Sequence, residues 1–415
     1  MKILVHDYAG HPFQAQLSRA LARRGHAVCH AFAGSLTGPR GSLARREGDP
    51  CSLEFRAIDL PERLDKDNLL KRRSQEREYG VLSAGLLEAW KPELVLSGNT
   101  PSEAQAHLVR FCRRSGIRFV SWVQDIYGVA AYRILSKKIP VLGSLVGRYF
   151  MWLDSVCARR SDGVVLITED FREQMRKWRT PEDRVDVISN WAPLEDMPLH
   201  AKDNPWSRAH GLHDLKCFVY SGTLAMKHNP RLLLELALVL RERADSRVVV
   251  ISEGNGVDWL KARAAERGLG NFVFLPFQPF DALPLALAAA DVLVAVLEAD
   301  AGAFSVPSKV LTYLCANRPL LLSVPLDNLA ARTVRAAGAG VIVAPADVKA
   351  FALLGKELID DPGRCRAMGA SARQYAEEHF DIDLIADDFE GVFRKAMGSA
   401  IGIPYQAEAT RALAA

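Results

Sequence analysis

The sequence predicts an α/β protein of two doubly wound parallel sheets facing each other across a cleft. Three observations carry this. The chain has 415 residues, about twice the length of an ordinary domain. Short apolar runs alternate with segments of helical period along almost its whole length. A stretch at 190–214, rich in proline and polar residues and without clear period, separates two such alternations. Strands buried on both faces read as unbroken apolar runs, and helical crossovers make their neighbours parallel. Two such sheets place a ligand crevice at the carboxyl ends of their strands.

Taken in order, residues 3–6 form a first strand and 14–24 a helix that Gly25 stops as a C-cap. Residues 27–33 return as a strand. Residues 34–56, rich in Gly, Arg and Ser, have little period and are expected to be a mobile loop. Strands at 94–97 and 118–123 bracket a helix at 102–114, and strands at 163–167 and 185–188 close the half. The second half restarts with strand 217–220. Helix 231–242, strand 247–252, helix 259–267, strand 273–275, helix 282–289 and strand 292–296 follow. Helix 309–316, strand 320–323, helix 329–336, strand 340–343 and helix 348–360 complete the alternation. A last helical pattern over 366–397 is long enough to cross back over the first unit, and the chain beyond Gly398 reads as a loosely held tail. The expected division is residues 1–195, 196–385 and a crossover helix with tail at 386–415.

Composition narrows the function classes. Apolar residues at 49% and charged ones at 25% are ordinary for a soluble globular chain. The seven cysteines are scattered without a C-x-x-C, which reads as reduced packing residues of a cytoplasmic protein. No signal-peptide pattern is present, and no apolar run reaches the ~18 residues of a membrane span. His210 and His213 have no cysteine or carboxylate cluster around them, so no metal site is expected there. Residues 1–195 hold 30 Lys and Arg against 23 Asp and Glu, a net of +7, while the whole chain carries +4. That basic half suits an anionic partner, a membrane surface or a phosphorylated acceptor, as well as it suits solvated arginines. A stripe of basic and aromatic residues for nucleic acid is missing. In the stretch from Arg133 to Trp152, Lys137, Lys138 and Arg148, with Arg159 just beyond, flank Val141, Leu142, Leu145, Tyr149, Phe150 and Trp152. This mixture fits a helix at a membrane interface or an amphipathic core helix.

Three segments of the second half bear the chemistry. Tyr220-Ser221-Gly222-Thr223-Leu224-Ala225-Met226-Lys227 follows a strand, and Gly222 allows close backbone approach to an anion while Lys227 is within reach. Ser252-Glu253-Gly254-Asn255-Gly256 follows the next strand, either as a phosphate loop or as a tight turn. Val306-Pro307-Ser308-Lys309 opens a helix: Pro307 sets the approach, Ser308 is the expected cap, and Lys309 adds charge where free N–H groups already favour an anion. In the first half, the loop after the first strand holds Gly10 and His11 but no G-x-G-x-x-G, which argues against dinucleotide binding there. Gln124 and Asp125 leave a buried strand at its carboxyl end, where Asp125 faces the crevice or caps a turn.

As a set, these segments resemble family 4 of the retaining glycosyltransferases, of GT-B fold, and within it the colanic-acid and O-antigen type of bacterial polysaccharide transferases. That branch carries Tyr-Ser-Gly-x-Leu-x-x-Lys, here Tyr220 to Lys227, and Gly-x-Gly after the next strand, here Gly254 and Gly256. It carries Pro-Ser-Lys at a helix start, here Pro307 to Lys309, and a turn before proline, here Ala316-Asn317-Arg318-Pro319 with Asn317 for the usual glycine. It also carries a Gln-Asp pair after a first-domain strand, here Gln124-Asp125. The chain departs at the second of two family glutamates, where Thr312 stands, and Phe304 lies near the first.

The resemblance implies a nucleoside diphosphate sugar (UDP- or GDP-linked) as co-substrate, no metal or other cofactor, and transfer with retained configuration. It implies Asp125, Lys227 and Lys309 as catalytic residues, with Gly222, Thr223, Glu253, Gly254, Gly256, Val306, Pro307 and Ser308 on the donor side. Gly10, His11 and Gln124 would line the acceptor side. The acceptor it implies is a lipid-linked saccharide at the cytoplasmic membrane face. A sugar-nucleotide 2-epimerase and an inactive nucleotide-binding relative are the alternatives on the same fold.

Overall fold

The computed structural model describes residues 1–36, 40–62, 69–297 and 308–398, apart from the side chains of Leu69, Leu70, Lys138 and Lys227. The first sheet has seven strands: β1 (Lys2–Asp7), β2 (Ala27–Ala33), β3 (Leu53–Ile58), β4 (Leu94–Gly98), β5 (Arg118–Val123), β6 (Gly163–Leu166) and β7 (Val185–Val187), in the spatial order 3-2-1-4-5-6-7. The second has six: β8 (Lys216–Ser221), β9 (Ser246–Ile251), β10 (Phe272–Leu275), β11 (Val292–Val296), β12 (Leu320–Ser323) and β13 (Gly340–Val343), in the order 10-9-8-11-12-13. Every pairing is parallel. The central strands are apolar because helices cover both faces: Leu94 to Leu96 and Val292 to Val296 are almost wholly buried. In each sheet the order reverses beside the first strand, β1 or β8, and there the helices leave to opposite faces and open a crevice.

The helix Ile382–Met397 closes the molecule by returning to the first sheet. Asp381 caps it by accepting from the Asp383 and Leu384 N–H groups. Its apolar side (Ile385, Phe389, Val392, Phe393) is buried, with the Phe389 ring 4.8 Å from that of Trp122 on β5. Arg24 meets Asp387 at 2.5 Å and Glu390 at 3.2 Å, and Lys395 meets Asp186. The two-sheet architecture and the returning helix are thus as the sequence predicts.

Four details differ. The segment expected as a mobile loop ends in β3, an edge strand whose Glu54 and Arg56 interrupt the apolar pattern. A 22-residue helix, Leu69–Trp90, precedes β4; its apolar residues are spread around the axis, with Tyr79 and Leu87 inside and Val81 and Leu82 outside, so no single face announces it. The pattern at 133–152 is two helices, Tyr127–Lys138 and Pro140–Arg160, because Pro140 cannot continue the first. The pattern at 366–397 is likewise two, Pro362–His379 and Ile382–Met397. At the turn before Pro319, Asn317 takes φ 54°, the left-handed conformation for which glycine is usual.

Candidate functional site

The two switch points open on one cleft of about 810 Å³. Its N-terminal wall begins where β1 ends. Asp7 is fully buried, and its carboxylate turns back to accept from the Gly10 N–H at 3.0 Å and from the His11 N–H. It also lies 3.2 Å from His11 Nδ1. Gly10 makes this tight return possible at φ 79°. Burial pushes the Asp7 carboxyl up, but the His11 ring and the loop N–H bonds outweigh it and hold the group below its ordinary range. Burial pulls the His11 imidazole down, yet Asp7, and more weakly Asp125, raise it above its usual value. Asp125 and Arg40 complete this wall. Gln124 is buried just behind, accepting from Asn190 Nδ2 at 3.3 Å.

The C-terminal wall is made by the end of β8 and the start of the helix Lys309–Leu314. Tyr313 ties the two: its hydroxyl accepts from the Ser221 N–H at 2.8 Å and donates to the Ser221 carbonyl at 3.1 Å. Gly222, at φ 117°, leaves the space that the lysine fills; a Cβ there would lie 3.1 Å from Lys309 Cε and Nζ. The ammonium stands 3.7 Å above the centre of the Tyr220 ring. Although Lys309 as a residue is half-buried, its Nζ is shielded from solvent and has no hydrogen-bond partner among the described residues. Burial alone lowers its pKa to about 7. A buried cation without a partner is costly, and the group is aimed at a space that an anion can fill.

The other residues expected on the donor side divide. Thr223, Ser308 and Thr312 line the same cleft. Ser308 stands at the N-cap, but its side chain makes no capping bond, against the sequence expectation; its backbone is already helical at φ −55°, ψ −27°. Glu253 and Gly254 line a neighbouring pocket of about 270 Å³ with Asp258, Lys261, Phe274 and Pro276. Gly256 serves packing: its N–H donates to the Leu224 carbonyl at 3.1 Å, and a Cβ would lie 2.4 Å from that oxygen. The Gly222 N–H is also spent, on the Ile251 carbonyl at 3.0 Å. Neither amide is therefore available to a phosphate in this conformation. Gly256→Ala is expected to cost about 1–3 kcal/mol through overpacking, measured by urea unfolding. Lys227 lies with its backbone in a short turn, Met226–His228; Val306, Pro307 and Phe304 lie outside the described residues.

Sequence reasoning missed Asp7, Arg40, Tyr313 and His228, which also lines the cleft, and quoted Tyr220 only as part of its segment. Only Asp7 had a local signal, a strand-end carboxylate followed at short spacing by Gly10 and His11. Tyr220 and Tyr313 were hidden because their partners are far away in the chain. Among the described residues no three His, Cys, Asp or Glu side chains gather as metal ligands.

Comparison with known proteins agrees with this architecture. Residues 10–191 match the glycosyl transferase 4-like domain, and residues 203–375 match the glycosyl transferases group 1 domain. The chain belongs to the family 4 glycosyltransferases, with the GT-B fold. It is 25% identical over 306 residues, 72% of this chain and 73% of the relative, to WcaI of Escherichia coli (strain K12), assigned to colanic acid biosynthesis as a glycosyl transferase. It is 25% identical over 344 residues, 81% of this chain and 84% of the relative, to the glycosyltransferase WbjE of Pseudomonas aeruginosa. Among solved structures, sucrose-phosphate synthase from Thermosynechococcus elongatus superposes with a TM-score of 0.73 at 15% identity, covering 96% of this chain and 100% of the other. HepE of Anabaena, in complex with UDP, gives 0.68 at 14% identity, covering 95% and 99%.

Proposed function

We propose that the protein moves a glycosyl unit from a UDP- or GDP-sugar to a lipid-linked saccharide in bacterial surface polysaccharide synthesis, at the cytoplasmic face of the membrane. The configuration at the anomeric carbon is retained and no metal ion takes part. The relatives support the pathway class: WcaI is assigned to colanic acid biosynthesis. A similar fold holds UDP-glucose in HepE, which supports the donor class.

The observation that carries the reading is the Lys309 ammonium, buried behind Gly222 in the cleft with no hydrogen-bond partner among the described residues. In the reaction, the bond from the anomeric carbon to the diphosphate oxygen breaks and a bond to the acceptor oxygen forms on the same face. The acceptor proton passes to the departing diphosphate. Lys309 offsets the charge that develops on the leaving group, the role a metal ion plays elsewhere. Asp125 and His11 stand on the opposite wall, on the acceptor side. No observation favours the epimerase or the inactive relative.

Thermal unfolding with UDP, GDP, ADP and CMP tests this. One diphosphate at about 100 times its Kd should stabilise by about 2.7 kcal/mol, and Lys309→Ala should remove the shift. Equal indifference to all four nucleotides would sink the reading.

A further inference from the structure

The helices Tyr127–Lys138 and Pro140–Arg160 form a hairpin that presents its large apolar side chains outward. Of the fourteen large hydrophobic residues exposed among the described residues, seven lie in this hairpin: Ile134, Ile139, Val141, Leu142, Leu145, Val146 and Trp152. Val141 is 79% exposed, and Leu142, Leu145 and Trp152 are each more than half exposed. Their spacing follows the helical period, so they make one continuous stripe along the second helix.

The inner seam explains the inversion. A Cβ on Gly147 would lie 2.4 Å from Tyr132 Cα, one on Gly143 2.0 Å from the Leu135 carbonyl oxygen, and one on Gly128 2.7 Å from the Met151 nitrogen. Glycines bring the two backbones together, and the bulky residues are left for the outside. The hairpin is also firmly rooted. The Asp154 carboxylate accepts from the Gly128 N–H at 2.6 Å and from Ser102 Oγ at 2.5 Å, and Tyr149 donates to Glu103 at 3.0 Å. A packed element with so large an outward apolar face signals a covering surface.

Charge identifies the cover. Between 127 and 153 the sequence has four basic residues (Arg133, Lys137, Lys138, Arg148) and no acidic one. Arg133, Lys137 and Arg148 are exposed beside the apolar stripe. Apolar side chains that enter the acyl boundary and cations that meet phosphate headgroups are the two components of interfacial binding. No helix among the described residues is long and apolar enough to cross a membrane.

We infer that this hairpin seats the protein on an anionic lipid bilayer, its apolar stripe at the level of the headgroups and its basic residues among the phosphates. The root of the hairpin lines a further cavity of about 320 Å³, shared by Tyr127, Asp154, Gln124 and Asp125. Asp125 also borders the main cleft. Seating the hairpin therefore brings the acceptor wall of the cleft next to the bilayer. This extends the lipid-linked acceptor of the proposed function, but it is read without turnover.

The test is co-sedimentation of the full chain with vesicles of phosphatidylcholine alone and with about one third phosphatidylglycerol. Wild type should partition at least tenfold more strongly to the anionic vesicles, and less in high salt. Leu142→Glu/Leu145→Glu should lose at least tenfold of that binding, whereas Leu353→Glu, at an exposed position in the second unit, should not. Equal binding by the double variant, or none by wild type, overturns the inference. Concentration-dependent dimerisation that the double variant abolishes, with no vesicle binding, would assign the stripe to a second copy of the chain instead. Nucleotide-induced stabilisation of the same variants reports separately on the transferase reading.

Discussion

Lys309→Met is expected to lower kcat/KM by about 10²–10³-fold, the loss typical of removing one preorganised group that stabilises developing charge. The same change should raise the melting temperature of the ligand-free protein. The wild-type ammonium is shielded, has no hydrogen-bond partner among the described residues and is shifted from 10.5 to about 7, which corresponds to a cost on the order of 5 kcal/mol. Methionine keeps most of the side-chain volume and carries no charge to bury. The pH dependence has a definite sign. The folded pKa lies below the unfolded one, so the penalty is fully present below about pH 7. From there to about 10.5 the unfolded chain holds a proton that the folded one lacks, and stability rises with pH. The Met variant lacks that rise. A diphosphate needs the charged lysine, so its affinity should be level below pH 7 and weaken by up to tenfold per unit above it. The second phosphate ionisation, near pH 6, is complete by then, which leaves the slope to the lysine. Calorimetric titration with UDP between pH 6.5 and 9 measures it. A Met variant that binds UDP as wild type does would remove Lys309 from the diphosphate site.

The parts of the fold that were legible in the sequence are those whose burial is complete. Strands such as β4, β5 and β11 are covered on both faces, and the polar residues inside β4 and β5, Ser97 and Ser121, are small and buried. The strand that was missed, β3, lies at the sheet edge, where Arg56 is exposed and carries no core signal. The helix Leu69–Trp90 was missed for the related reason that it has no single apolar side. At the site, Lys309 could be picked out because a lysine in the first turn of a helix works against the helix dipole. Its confinement could not, because the ring beneath it, Tyr220, and the glycine that makes room, Gly222, stand almost ninety residues earlier. Ser308 shows the converse. A serine before a helix is the ordinary capping pattern, yet here the backbone is already helical at that residue and the side chain caps nothing.

Between pH 6.5 and 4 the protein should lose a few kcal/mol of stability, the net of close to two protons taken up by histidines on unfolding and one released by Asp154, whose carboxyl is raised by burial from 3.8 to about 6. The cause is a pair of histidines inside the first sheet, His6 on β1 and His30 on β2, both essentially without solvent exposure. Burial pushes each pKa from 6.5 to about 4, against the nearby Asp7 carboxylate, which acts to raise both. His6 is held neutral by Ser97 and Thr100 at 3.0 Å and Tyr79 at 2.9 Å. His30 meets Ser18 Oγ at 2.8 Å and lies 3.8 Å from Asp7, with the Arg19 charge opposing its protonation. Each shift corresponds to about 3 kcal/mol. Because both folded values lie below the unfolded one, stability falls as pH drops through 6.5 and levels off below about 4. Asp7 does not contribute within this window, since its folded pKa lies below 3.8 and its stabilisation is lost only further down. His11 acts in the other direction: its raised pKa gives stability that is complete below 6.5 and lost as pH rises through the folded value. Urea unfolding at intervals across the range gives the proton uptake directly from the slope, about 1.4 kcal/mol per unit for each proton. His30→Asn keeps a polar group near Ser18 but cannot ionise, so the slope should fall by one proton, about 1.4 kcal/mol per unit. An unchanged slope, or constant stability from pH 6.5 to 4.5, would mean that water or a shifted side chain already accommodates the charge. His6, Asp7 and His30 stand beneath the loop that carries His11, so acid should disturb the N-terminal wall of the cleft before it reaches the lysine on the other side.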